Sequence, residues 1–212
     1  MTQKAARCLG LVLLGVSVFA VPRAARAEQA RKPATATTAV AAPDLSTVRS
    51  AALAWVDASW NGDVAVAHQI LVDDDAQREF MAGPLRFSAA LRALEAAAIE
   101  RWGDAGRHVS GYPDGSAKAM EPKLEITADD DRASASFGKS MMALPLRRID
   151  GRWRVDLADV ARDRRARRAS EASTAAAKAA DDVAAEIRDG KFKSAEDAKA
   201  AFTERRLARA GQ

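Results

Sequence analysis

The residues predict an α+β fold, in which N-terminal helices pack on an antiparallel meander sheet and a C-terminal helical hairpin follows. Three features carry that expectation. Apolar residues recur at helical spacing from Asp44 to Trp102, alternate with a period of two from Leu124 to Asp156, and return to helical spacing from Leu157 onward. Asp150-Gly151 stands between two alternating runs and is a favoured pair for a two-residue type I′ hairpin turn. Asn61-Gly62 and Asp189-Gly190 punctuate the helical stretches, because a glycine just past a helix end takes the left-handed conformation at little steric cost.

The chain opens on a segment outside the fold. Lys4 and Arg7, an apolar run from Leu9 to Val21 and the small residues of Ala25-Arg26-Ala27 make the three parts of a secretory leader over residues 1–27. The run has about 13 residues, short of the roughly 20 that cross a bilayer as a helix. Cleavage near Ala27 and export to a periplasm or the exterior are therefore expected, with no stable membrane insertion afterwards. Cys8 precedes the apolar run, on the wrong side for a lipidated cysteine. Residues 28–43 are rich in Ala, Thr and Pro without a large apolar side chain and read as a flexible linker.

The α+β domain is expected over residues 44–157. Asp44 is the expected N-cap of a first helix whose face holds Val48, Ala52, Trp55, Val56 and Ser59. Asp63 caps a short helix from Val64 to Leu71, and Asp74 with Gln77 forms a capping box for a third segment. Gly83-Pro84 should interrupt that segment, since proline lacks an N–H and crowds the preceding turn. A long helix then runs from Leu85 to Trp102 with Phe87, Leu91, Leu94, Ala98 and Trp102 in one stripe. A glycine-rich loop follows, holding Tyr112 and a short strand at His108 to Ser110.

Leu124 and Ile126 share one strand face, Asp129 to Asp131 turn, and Ala133, Ala135 and Phe137 alternate with serines on the return. A third strand is expected from Ser140 to Ile149 and a fourth from Arg152 to Asp156. The two-residue turn sets Leu146 opposite Val155 and Arg148 opposite Trp153, so Leu144, Leu146, Trp153 and Val155 fall on one face. Pro145 cannot donate to a ladder and points to an edge position or a bulge. Residues 158–212 form the hairpin. Ala169, Ser173, Ala176, Ala180, Val183 and Ile187 trace a narrow seam suited to one partner helix, expected to be the next in sequence, opened by a Ser194 and Asp197 capping box. Phe192 and Phe202 are its expected anchors.

The sequence pI near 9.5 suggests a polyanionic partner. Removing the leader takes away four of the 33 basic residues and none of the 29 acids, which leaves the remainder neutral. No nucleic acid is therefore expected as a partner. The one cysteine leaves too, so the exported chain has no disulfide, thiol nucleophile or cysteine ligand. The sharpest charge feature is Arg162 to Arg168, in a segment from 157 to 212 with 13 basic and 10 acidic residues. It lacks the interleaved aromatics of a single-strand binder and reads as a solvated helix face with internal ion pairs.

Helices followed by a meander, Trp60-Asn61-Gly62-Asp63 after the first helix, Asp73-Asp74-Asp75 after the second, and a last strand Gly151-Arg152-Trp153-Arg154-Val155 together resemble the nuclear-transport-factor-two-like superfamily, its polyketide-cyclase-like domains in particular. The resemblance covers about residues 45–157. It implies a strongly bent sheet wrapped around a long helix, making a cone with a pocket at its open end. Members include isomerases, dehydratases and hydrolases as well as binding domains. This chain departs from the pattern in having four legible strands where more are usual, and in its C-terminal hairpin.

Enzymes of that type pair a pocket base with a second proton donor, and the candidates here are Asp57, His68 and Tyr112. Each has an ordinary alternative: a solvated helix carboxylate, a histidine at the core edge and a loop tyrosine. Asp73 to Asp75 and Asp129 to Asp131 lack the spacing of a calcium loop and are read as a helix cap and a turn. With two histidines forty residues apart and no Gly-rich phosphate loop or nucleophile elbow, no metal or cofactor is called for. Trp55, Trp60, Trp102 and Trp153 supply bulk to an alanine-rich core or line a ligand cavity. The resulting expectation is an exported soluble domain that binds a small ligand or a protein partner without chemistry. A small-substrate proton-transfer enzyme and an envelope scaffold acting through the C-terminal helices stay open at this point. The sequence sets no oligomeric state.

Overall fold

The structure, a computed structural model, describes residues 42–138 and 143–210. The expected leader, the linker up to residue 41 and the expected strand start at Ser140 lie outside the described residues.

Three helices come first: α1 (Val48–Asn61), α2 (Val64–Ile70) and α3 (Asp75–Trp102). α1 is capped by Thr47, not Asp44; Thr47 and Ser50 bond reciprocally in a capping box, while the Asp44 carboxylate turns back to the Ser46 N–H at 2.9 Å. Gly62 ends the helix in the left-handed region (φ 67°), and Asp63 caps α2 as expected. The Asp74 side chain caps α3 through the Gln77 N–H, but no capping box forms. Buried Gln77 instead donates to Asp156 at 3.2 Å and accepts from the Leu157 N–H at 2.7 Å, tying α3 to the end of the sheet.

α3 runs unbroken through Gly83-Pro84, against expectation. Pro84 has no N–H for the carbonyl of Phe80 one turn back; the hydroxyl of Ser170 donates to that carbonyl instead. Gly83 permits the approach, because a Cβ there would lie 2.3 Å from the Ser170 carbonyl oxygen. After α3 the chain makes a 3-10 turn at Gly103–His108 where the strand at His108 to Ser110 was expected, then a short helix, α4 (Ala117–Met120), and a second 3-10 turn, Glu121–Lys123.

β1 (Leu124–Asp129), β2 (Arg132–Phe137), β3 (Leu144–Ile149) and β4 (Arg152–Val155) form one antiparallel meander in sequence order. Leu146 pairs with Val155 and Arg148 with Trp153, the register the turn dictates. Asp150 and Gly151 both have positive φ, as a type I′ turn requires (50° and 74°). β3 is interior, so the edge position expected from Pro145 is wrong. Pro145 pairs with Ser134, and its carbonyl accepts from Asp156 just past the last residue of β4, so the missing N–H falls at the end of the ladder. The outer edge of β4 is covered: the Trp153 N–H bonds to Leu45, and the Val155 carbonyl accepts from Val72. β1 is more open than its alternation suggests, with Ile126 39 % exposed.

The apolar side of the sheet, with Leu146, Trp153 and Val155 buried and Leu144 half-buried, packs with α1 and α2. α3 joins that cluster through Met81 and Leu85 and gives its later turns to α6, so the stretch from Leu91 to Ala98 packs with the C-terminal helices and not on the sheet.

The C-terminal part contains α5 (Ala158–Arg162), α6 (Arg164–Arg188) and α7 (Ala195–Ala210). Asp163 breaks the expected continuous helix by capping α6 through the N–H groups of Arg165 and Ala166. α6 and α7 pack together with Phe202 buried. The expected single partner for the α6 seam is corrected to two. Leu91, Leu94 and Ala98 of α3 and Ala198 and Phe202 of α7 meet a broad α6 face that includes Ala177, Ala179 and Ala184 as well as Ala180, Val183 and Ile187. Ala169, at the start of the expected seam, is exposed.

Candidate functional site

A cavity of about 680 Å³ opens where the second half of α1 meets α4 and the β2 to β3 end of the sheet. Its walls are mostly apolar: Trp55 and Val56 from α1, Met120 from α4, Phe137 and Leu144 from the sheet. Helical spacing produces the α1 contribution, because residues 55, 56, 59 and 60 share one face. Among the described residues the polar groups at the cavity are few: Ser59, Ser88, Tyr112, Asp114 and Lys123. The Ser59 hydroxyl is shut off from solvent and has no hydrogen-bond partner among the described residues.

A network of side chains fixes the wall formed by residues 112–115. The Arg92 guanidinium stacks 3.9 Å from the centre of the Trp60 ring and bonds Glu95 at 2.7 Å. Glu95 accepts from the hydroxyl of buried Ser110 at 2.5 Å, and that hydroxyl accepts the Tyr112 N–H at 3.2 Å. The Tyr112 ring meets Phe87 edge-on at 5.9 Å, and its hydroxyl accepts from Arg206 on α7. Gly115 lies so near Trp60 that a Cβ there would come within 2.7 Å of the indole. Hydrogen bonds from the Ser116 backbone and hydroxyl, helped by the charges of Arg92 and Lys118, hold the exposed Asp114 carboxyl below its ordinary value of 3.8.

Of the three residues singled out as a possible acid and base, one reaches the cavity. Tyr112 lines it, but with its hydroxyl engaged by Arg206. Asp57 accepts the Ala117 N–H at 2.8 Å and so caps α4. His68 sits half-buried on α2 and is not part of the cavity wall. The convergence that an acid–base enzyme would need does not occur among these three residues. The tryptophans divide: Trp55 and Trp60 line the cavity, Trp153 belongs to the core below it and Trp102 packs with the C-terminal helices. Arg92, Glu95 and Ser110 went unnoticed in the sequence. Their one local signal is Arg92 and Glu95 three residues apart beside the stripe of Leu91 and Leu94.

A second polar depression, of about 580 Å³ beside Gln77, is occupied by its own pairing. It holds Arg147 and Asp156, which form an ion pair at 3.2 Å. Asp73 and Asp75 both pair with Arg78, and Asp130 takes the positive-φ position of the first hairpin. Among the described residues no group of three His, Cys, Asp or Glu is placed to hold a metal ion, and no helix is long and apolar enough to cross a membrane. The arginines at 162, 164, 165, 167 and 168 are exposed. Arg162 pairs with Asp159 at 3.6 Å, and the other four have no ion pair among the described residues, so the expected internal pairing is confined to one arginine. No protein-family model, curated protein or solved structure matches the chain.

Proposed function

We propose that the chain, exported on its leader, is a non-catalytic binding protein that holds a small, largely apolar ligand in the cavity between α1, α4 and the sheet. The observation that carries this reading is the cavity itself. Its volume of about 680 Å³ falls in the range of about 300–1,000 Å³ typical of small-ligand sites, and apolar walls with a few polar groups are what such sites present. Trp55 and Trp60 come from α1 and Phe137 from β2, so most of the aromatic wall is carried by regular elements. The separation of Asp57, His68 and Tyr112 supports binding over proton transfer, because general acid–base chemistry needs groups within hydrogen-bond reach of one substrate. A pocket at one end of a helix-backed sheet also fits kinship with the nuclear-transport-factor-two-like superfamily, which we include in the proposal.

The test uses a neutral apolar fluorophore, N-phenyl-1-naphthylamine, titrated against the protein and against V56W and S88W, which place an indole in the cavity. Saturable one-site binding that both variants abolish, with their thermal midpoints retained, is the expected outcome. Binding that is absent, or that both variants leave intact, overturns the reading.

A further inference from the structure

We propose that the ligand of this cavity is an amphipathic organic anion, an apolar body ending in one carboxylate that rests against Lys123. The inference depends on the cavity reading above and adds the charge. Among the described residues two lining side chains are ionised, Asp114 and Lys123. Asp114 is already engaged: its carboxylate accepts the Ser116 N–H at 2.8 Å, and the charges of Arg92 and Lys118 act on it. Lys123 is not. The neighbouring acid Glu121 pairs with Arg49 at 2.9 Å, and Lys123 itself has no ion-pair partner among the described residues. It is exposed at the end of the 3-10 turn that feeds β1, so its backbone is fixed at the rim while its ammonium is free to meet a ligand.

Among the described residues the cavity therefore combines an apolar floor, from Trp55, Met120, Phe137 and Leu144, with one lining cation, Lys123, that has no ion-pair partner. A neutral ligand leaves that ammonium without a counter-charge, and a cationic one meets a like charge. A carboxylate at the end of an alkyl or aryl body satisfies both parts of the site. Because the pair forms in water, its contribution is modest, and acid and alcohol should differ by about threefold to fivefold in affinity.

Displacement of the bound fluorophore by decanoate, decanol and decylammonium tests the assignment. Decanoate should displace it at about threefold to fivefold lower concentration than decanol, and decylammonium should be the weakest. K123Q should erase the gap between acid and alcohol without changing decanol, K123R should preserve it, and high salt should narrow it in the wild type. Equal displacement by decanoate and decanol, or a preference that survives K123Q, overturns the charge assignment while leaving the cavity reading in place. Failure of all three to displace a bound fluorophore overturns the assignment of an amphipathic anion, whereas the cavity reading falls only if the fluorophore does not bind or its binding survives V56W and S88W.

Discussion

Phe80 shows how one missing hydrogen bond shapes this chain. Pro84 removes the N–H that the Phe80 carbonyl would accept, and the Ser170 hydroxyl replaces it from α6. The glycine beside that proline clears the space for the α6 backbone. Local rules see only the costs of Gly83-Pro84 inside a helix, so the pair reads as a break. The compensation lies 90 residues further on and has no local signature. The same limit applies to Gln77, whose spacing from Asp74 matches a capping box but whose amide is drawn away by Asp156 and Leu157. S170A should cost about 1 kcal/mol, since a half-buried carbonyl loses its partner. In a P84A background the backbone N–H returns and the same substitution should cost close to nothing. A urea-denaturation double-mutant cycle measures the difference; equal costs in both backgrounds would mean that Ser170 does not substitute for the missing N–H.

Elements whose geometry is set by near neighbours were legible, and elements set by distant ones were not. The β3 to β4 hairpin came through with its register because turn chemistry and alternation act over ten residues. The cavity was foreshadowed by Trp55 and Trp60 on α1, yet nothing local marked Ser88, Met120 or Lys123, which arrive from three other segments. α6 is a mixed case. Its small-residue face was visible, while its packing against α3 as well as α7 was not, because alanines do not specify how many helices approach them. The α6 start also carries a conflict: Arg164, Arg165, Arg167 and Arg168 follow the Asp163 cap with no acid in the first turn. Cations there oppose the positive end of the helix dipole. R165E should therefore raise stability by about 0.3–1 kcal/mol at low ionic strength, read as a higher urea midpoint. The gain should shrink in concentrated salt, where exposed charges are screened. A midpoint that falls, or a gain indifferent to salt, would show that the dipole does not govern this end of α6.

α3 connects the two hydrophobic clusters found among the described residues. Met81 and Leu85 lie in the cluster that supports the sheet and the cavity, while Ala90, Leu91, Leu94, Ala97 and Ala98 lie in the one built with α6 and α7. An uninterrupted helix cannot readily unfold over one half alone, since each broken turn exposes apolar side chains of its neighbour. The continuity that Ser170 and Gly83 allow thus joins the C-terminal helices to the rigidity of a site they barely touch. Phe202 is the largest fully buried side chain among the described residues, and F202A should cost about 3–5 kcal/mol through lost transfer energy and the void left behind. Coupling through α3 makes a stronger claim about where that loss is felt. In variants that keep only Trp153, in the first cluster, or only Trp102, beside the second, F202A should lower the denaturation midpoint seen by both reporters equally. A Trp153 signal that holds its midpoint while the Trp102 signal shifts would mean that the clusters unfold separately and that the long helix does not bind them into one cooperative unit.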